Sequence, residues 1–313
     1  MFKSVDMAAD VLKNQNEICL LCHMSPDGDT LGSAFAIFYA LKSLGKKCFV
    51  DCADDFPKKF HYIYPSKMDK FKPKHYVTVD VADVKLLGKE QRDLPYDLCI
   101  DHHEMNRVSA KQKCIDMNAA ATAEIVYDIL KKMEIIFDKT IANCLYTGIC
   151  TDTGCFKFSN TSAKTHRIAA DLIDLKAESE KINFKLFEEK SKARLCLEKQ
   201  VLENLEYYFN DRCTLVFVTK KMLKEAGADD STFEGIPSIV RCPTGVEIGI
   251  TVKECDIDIY KVSVRTVENF DAAEFCGIFG GGGHKMAAGF KIKGSALEVK
   301  RKILQAVEGK IIG

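Results

Sequence analysis

ICLLCHMSPDGDTLGSAFAIFYALKSLG, residues 18–45, is the stretch that decides the fold. It opens on an unbroken apolar run, turns at Pro26-Asp27-Gly28, and closes on an apolar segment with helical spacing. A strand that is apolar at every position is covered on both faces, which is the property of strands in parallel sheets. The same texture recurs downstream. Strands are predicted at Ile18–Cys22, Lys47–Asp51, Tyr76–Val81 and Asp97–Ile100, and helices at Thr30–Leu44, Ala119–Met133, Lys139–Ile149 and Ala163–Leu175. Such alternation predicts an α/β fold with a parallel sheet, right-handed crossovers, and ligands bound outside the carboxyl ends of the strands.

The texture changes after residue 181. Residues 182–209 lack glycine and proline and are rich in charge, which predicts a helical connector rather than a loose linker. From residue 210 to 313, strands at Thr214–Val218, Val246–Val252 and Ile259–Val264, a helix at Ala272–Phe279, the stretch GGGGHKMAAGF and a last helix near Ala296–Val307 predict a smaller α+β domain. The expected division is therefore an N-terminal domain over 1–181, the connector, and a second domain over 210–313.

Composition narrows the function. A chain of 313 residues with 47% hydrophobic and 29% charged residues is no disordered segment. No apolar run approaches the ~20 residues of a membrane span, and the N-terminus lacks the pattern of a secretory signal, so a cytoplasmic location is expected. Basic and acidic residues number 45 each, and from Glu206 onward 15 each, so global charge offers no basic face for long duplex DNA. The 14 cysteines lie in apolar segments from Cys19 to Cys276 and read as reduced, buried thiols. Cys19-Leu-Leu-Cys22-His23 matches the spacing of haem attachment, but the segment reads as a buried strand.

The polar residues that follow the strands carry the chemistry. His23, Asp27 and Asp29 follow the first strand, Asp80 and Asp83 the third, and Asp101-His102-His103 the fourth, while Asp152 ends an apolar helix. Taken singly, Asp27 and Asp29 read as turn residues beside Pro26 and Gly28, and Asp80 or Asp83 as a helix cap. Taken together, four segments deliver carboxylates and imidazoles to one sheet edge, where their repulsion calls for cations. Mixed oxygen and nitrogen donors suit manganese first, with magnesium, iron(II) or cobalt behind it. A pair of such ions clamps the oxygens of a phosphoryl transfer and activates water. Near the other end, Gly280 to Gly283, His284 and Arg265 offer donors for an anion; the alternative is a tight loop whose glycines serve packing alone.

The blocks HMSPDGD, VDVAD, DHH and TDTGCF, in that order, resemble the four motifs of the DHH phosphoesterase family, and GGGGHKMAAG with Ser263-Val-Arg265 upstream resembles the signature of the domain that accompanies it. The resemblance spans roughly residues 15–290. Within the family the compact length is similar to the bacterial nanoRNases, which degrade short oligoribonucleotides and also dephosphorylate 3′-phosphoadenosine 5′-phosphate. It implies a first metal on His23, Asp27 and Asp80, and a second on Asp29, Asp80, His102 and Asp152. It further implies that His103 faces the substrate phosphate, that Asp101 orients an imidazole, that Asn106 touches phosphate, and that Asp83 serves as a cap. Arg265, Gly281, Gly282, Gly283 and His284 would hold the terminal nucleotide. Glu104-Met105 departs from the proline-containing turn common in relatives.

The expected function is hydrolysis of short RNA oligonucleotides and dinucleotides to mononucleotides, and of 3′-phosphoadenosine 5′-phosphate to AMP, by water activated between two metals. The alternatives are a phosphodiesterase for signalling dinucleotides such as pApA or cyclic di-AMP, and a non-catalytic nucleotide sensor. The resemblance is compatible with a homodimer, which no residue pattern in the chain demands.

Overall fold

The computed structural model describes residues 4–233, 235–267 and 270–311, and the chain forms two compact units, one up to Glu189 and one from Lys190. The first unit is built on a five-stranded, all-parallel sheet: β1 (Ile18–Leu21), β2 (Cys48–Asp51), β3 (His75–Val79), β4 (Tyr96–Asp101) and β5 (Gln112–Ile115), in the order β2-β1-β3-β4-β5. Successive residues of β1 face opposite ways. Ile18, Leu20 and Cys22 enter the main core, while Cys19 and Leu21 enter a smaller cluster with Leu87 and Val108. The main core is roofed by α1 (Val5–Asn14), α2 (Gly28–Ser43), α3 (Thr122–Lys132), α4 (Lys139–Asp152) and α5 (Ala163–Asp174), followed by the short α6 (Ser179–Asn183).

Helix starts follow capping chemistry. The side chains of Ser4, Asp27, Asp138 and Ser162 each accept a backbone N–H of the helix they precede. The strand order reverses direction between β1 and β3, and a crevice opens beyond the carboxyl ends of strands at such a switch point. That is where His23 and Asp80 emerge.

The second unit holds a six-stranded mixed sheet in the order β10-β11-β9-β8-β7-β6, made of β6 (Glu206–Tyr208), β7 (Cys213–Val218), β8 (Ile248–Asp256), β9 (Ile259–Thr266), β10 (Gly282–His284) and β11 (Ala287–Lys293). On one face, α11 (Ala272–Gly277) and α12 (Ala296–Ile311) pack over Ile250, Val262 and Phe290. On the other, α7 (Lys192–Glu203), α8 (Lys220–Ala226), α9 (Asp230–Phe233) and α10 (Ile236–Val240) cover Val216 and Val218.

Three local expectations are corrected. The strand β5 was not anticipated. The stretch 182–209 contains one regular α-helix, α7, flanked by a π-helical turn at Phe184–Glu188 and by β6, which joins the second sheet. The glycine run is an edge hairpin, with Gly282, Gly283 and His284 paired to Gly289, Ala288 and Ala287. Gly283 is needed there: its φ is +150°, and a Cβ would lie 2.6 Å from the Ala287 carbonyl oxygen.

Candidate metal centre

Beyond the carboxyl edge of the parallel sheet, ligand atoms converge in three overlapping groups: His23, Asp27 and Asp80; Asp29, His102 and Asp152; and Asp80, His102 and His103. Within each group the atoms lie within 4.8 Å of one another. Asp80 belongs to two. Its Oδ2 is 3.8 Å from His23 Nε2, and its Oδ1 is 3.7 Å from His102 Nε2. Asp27 Oδ1 lies 3.7 Å from His23 Nε2, and Asp152 Oδ2 lies 3.2 Å from His102 Nε2. Four of the six sequence-predicted metal ligands, His23, Asp27, Asp80 and Asp152, line one small cavity of about 250 Å³ with Leu86 and His103, and the other two, Asp29 and His102, cluster with Asp152.

Five of the six are held from behind. His23 Nδ1 is 2.8 Å from the Met24 carbonyl and His102 Nδ1 is 3.1 Å from the Ala119 carbonyl. A carbonyl only accepts, so both rings donate through Nδ1 and turn Nε2 toward the carboxylates, the atom a metal-binding imidazole offers once it is neutral. Asp29 is wholly buried and accepts the first amides of α3, Thr122 N–H at 2.6 Å and Ala123 N–H at 2.9 Å, together with Ser33 Oγ–H at 3.2 Å. Thr122 Oγ–H donates to Asp80 Oδ1 at 2.8 Å. Asp80 itself has φ +59°, a left-handed backbone that aspartate tolerates better than most residues and that turns it out of β3. Asp27 caps α2, accepting from Asp29 and Thr30 N–H.

The electrostatics suit a cation. Burial, then the Asp27 charge, pushes the Asp80 carboxyl up to about 7. Burial together with Asp80 and Asp152 holds the Asp29 carboxyl well above the usual range. For His23, burial disfavours the charged ring, but the Asp27 hydrogen bond and neighbouring charges prevail and raise it to about 9. For His102, burial is likewise outweighed, by Asp152, Asp29 and Asp80, and the ring rises to about 10. Clustered buried carboxylates raise one another's pKa, and a cation among them would favour their charged forms. The donor set, oxygen-rich with two Nε2 atoms, fits divalent cations.

Other predicted residues sit around this cluster. His103 is half-exposed, with its Nδ1 2.7 Å from Asp101 Oδ1. Asp101 is wholly buried and also accepts from His102 N–H and from Asn106 Nδ2–H at 2.6 Å. Burial opposes its charge, yet the bonds from His103 and Asn106 hold its carboxyl below the usual range. Asn106 directs its amide hydrogens to Asp101 and to the Val81 carbonyl, so the residue expected to touch phosphate braces Asp101 here. Asp83 caps the 3-10 turn at Val84–Leu86 through Lys85 N–H. Sequence reasoning missed Thr122, Ala123 and Ser33. The only available signal was the polar start of an apolar helix, since main-chain amides leave no mark in composition.

The remaining predicted residues lie on the second unit's sheet, except Gly281, which directly precedes β10. Arg265 of β9 stands opposite Ala287 of β11, which stands opposite His284 of β10. Residues directly opposite in antiparallel strands share a face. Two residues along each strand, Ser263, Gly289 and Gly282 form a parallel row on that face. Two donor side chains therefore flank a floor of small residues. Among the described residues no carboxylate pairs with Arg265, whose Nη1 donates to the Val264 carbonyl.

Comparison with known proteins matches this arrangement. The DHH family, N-terminal domain, matches residues 17–149, and the DHHA1 domain matches residues 215–312. The bifunctional oligoribonuclease and PAP phosphatase NrnA of Thermus thermophilus is 29% identical over 316 residues, covering 98% of this chain and 94% of its own. A Streptococcus mutans protein named as a probable enzyme of the same kind is 27% identical over 305 residues, covering 89% and 90%. Among solved structures, an exopolyphosphatase-related protein from Bacteroides fragilis superposes with a TM-score of 0.86 at 25% identity, covering 97% and 95%. The chain thus carries a DHH-family N-terminal domain over residues 17–149 and a DHHA1 domain over residues 215–312.

Proposed function

We propose that this protein is a divalent-metal-dependent phosphoesterase that hydrolyses short oligoribonucleotides to mononucleotides and 3′-phosphoadenosine 5′-phosphate to AMP, in the cytoplasm and with manganese as its working ion. The observation that carries the reading is Asp80, whose two carboxylate oxygens face different imidazoles, His23 and His102. A shared carboxylate between two donor groups is the arrangement of a paired-metal site. Relatives of nearly full length named for oligoribonuclease and PAP phosphatase activity support the substrate class.

In this reading His23, Asp27 and Asp80 hold one ion, and Asp29, Asp80, His102 and Asp152 the other. Bound ions would neutralise the carboxylates, polarise a phosphate oxygen and lower the pKa of water. His103 does the remaining proton work. Asp101 fixes its Nδ1–H and raises its pKa, so that Nε2 carries a proton toward the leaving oxygen. Arg265 and His284 grip the phosphate of the terminal nucleotide, the arginine as a two-pronged donor. The balanced charge of the chain agrees with a short substrate rather than long duplex DNA.

The test is product analysis of 5′-labelled pApA, a five-nucleotide RNA and 3′-phosphoadenosine 5′-phosphate, each incubated with manganese. Mononucleotides from the RNA and AMP from the last substrate are expected. Cleavage of pApA alone would replace this reading with a signalling-dinucleotide phosphodiesterase. Loss of none of the substrates, with ions bound, would overturn it.

A further inference from the structure

The cavity at the metal cluster is small and polar. At about 250 Å³ it falls below the ~300–1,000 Å³ of most ligand pockets. Its lining is His23, Asp27, Asp80, His103 and Asp152, with Leu86 as its apolar member. Such a cavity takes a phosphoryl group and leaves the nucleobase outside, where a flat apolar partner would have to receive it.

The loop that leaves Asp152 presents such a partner. Phe158 is 58% exposed, a large aromatic ring within reach of a stacking partner. Its ring is nevertheless fixed in place. The far edge rests against Gly154, where a Cβ would lie 2.4 Å from Cζ and 2.6 Å from both Cε atoms. Gly154, Cys155 and Phe156 all have left-handed backbones, with φ of 54°, 59° and 62°. Buried Thr153 ties this strained loop together. Its carbonyl accepts Lys157 and Phe158 N–H, and its Oγ accepts Phe156 N–H. Two residues on, Asn160 Nδ2 donates to the Asp152 and Ala120 carbonyls, beside the Ala119 carbonyl that orients His102. The exposed ring is thus anchored to the backbone of one metal ligand and to the segment that steers another. Strain concentrated beside reacting groups marks a loop held in shape for use.

We infer that Phe158 is a specificity-determining residue: it stacks the base of the nucleotide whose phosphate enters the metal cluster. This rests on the phosphoesterase reading and adds a base-recognition element within the first unit. Stacking on a phenyl ring is tolerant of base identity, because every base has a π-face, so Phe158 selects nucleotides over other phosphoesters without selecting among sequences.

The test compares pApA with an analogue in which the base nearest the scissile phosphate is replaced by an abasic tetrahydrofuran, using wild type, Phe158→Ala, Phe158→Tyr and Phe158→Leu. The quantity read is the ratio of kcat/KM on pApA to that on the analogue. From the usual cost of losing one base–aromatic stack, this ratio should fall roughly 5- to 150-fold in Phe158→Ala. The loss should appear in KM, the ratio should recover in Phe158→Tyr, and it should stay low in Phe158→Leu, which keeps bulk without a π-face. A ratio unchanged in Phe158→Ala, or restored equally by leucine, would overturn the stacking role while leaving the phosphoesterase reading intact. Wild-type protein inert toward both compounds, toward the five-nucleotide RNA and toward 3′-phosphoadenosine 5′-phosphate, with ions bound, would overturn both. Metal content measured on each variant separates loss of stacking from a collapsed loop, since a collapsed loop would release Asp152 and its ion.

Discussion

The residue with the most demands on it is Asp101, which touches no proposed ligand position of its own but accepts from His102 N–H, His103 Nδ1–H and Asn106 Nδ2–H. An Asp101→Asn substitution forces an N–H against one of those donors and removes the charge that raises the His103 pKa. Activity should fall roughly 10- to 100-fold, as when the partner behind a metal-site imidazole is lost, with bound metal unchanged. In the proposed mechanism His103 acts in its protonated form, so the alkaline limb of the kcat profile should move to lower pH; an unmoved limb would assign the proton to another group. At this scale the sequence was informative where chemistry is carried by side chains. His23, Asp27, Asp29, Asp80, His102 and Asp152 stand out because charged groups after buried strands have no packing role. What orients them could not be read, since the Met24 and Ala119 carbonyls and the Thr122 and Ala123 amides are groups every residue owns.

Elements set the spacing of the site through close helix contact. Gly148 of α4 faces both α2 and α3: a Cβ there would lie 2.8 Å from Asp29 Oδ1 and 2.7 Å from Ala123 Cβ. Gly148→Ala should therefore cost about 1–3 kcal/mol through overpacking and displace Asp29 from the α3 amides, weakening metal binding as well. Denaturant unfolding with and without manganese checks both parts; a variant of unchanged stability and metal affinity would mean the helices yield easily. The central strands of the first sheet were legible because each is apolar on both faces. The edge strand β5, Gln112-Lys113-Cys114-Ile115, begins with two polar residues and lost that signal. The hairpin of β10 and β11 was hidden for a different reason. Glycine has little strand propensity of its own, and the pairing of Gly282 with Gly289 is fixed by the neighbouring β9 ladder.

For the whole molecule, the proton occupancy of the metal-free cluster becomes a stability curve. The folded protein holds the Asp80 proton up to about 7 against an ordinary 3.8, and the His23 and His102 protons up to about 9 and 10 against 6.5. In each case the folded state binds more protons than the unfolded one, so stability falls as pH rises, first through Asp80 and then through the two rings. The Tm of metal-depleted protein should therefore decline steadily from about pH 5 to about pH 9. The increment from added manganese should widen over the same range, because ion binding requires neutral rings. A Tm that climbs with pH in the absence of metal would contradict this occupancy. The presence of two units was readable from the change in texture after residue 181, whereas the strand β6, drawn from a helix-like sequence into the second sheet, depends on its antiparallel partner β7. The bracing behind these ligands has one more consequence. With Asp29 seated on two amides and both imidazoles pinned by carbonyls, the cradle keeps its shape when empty. Filling such a cradle would require the ion to shed water and the rings and Asp80 to shed protons, with no refolding of the chain around it.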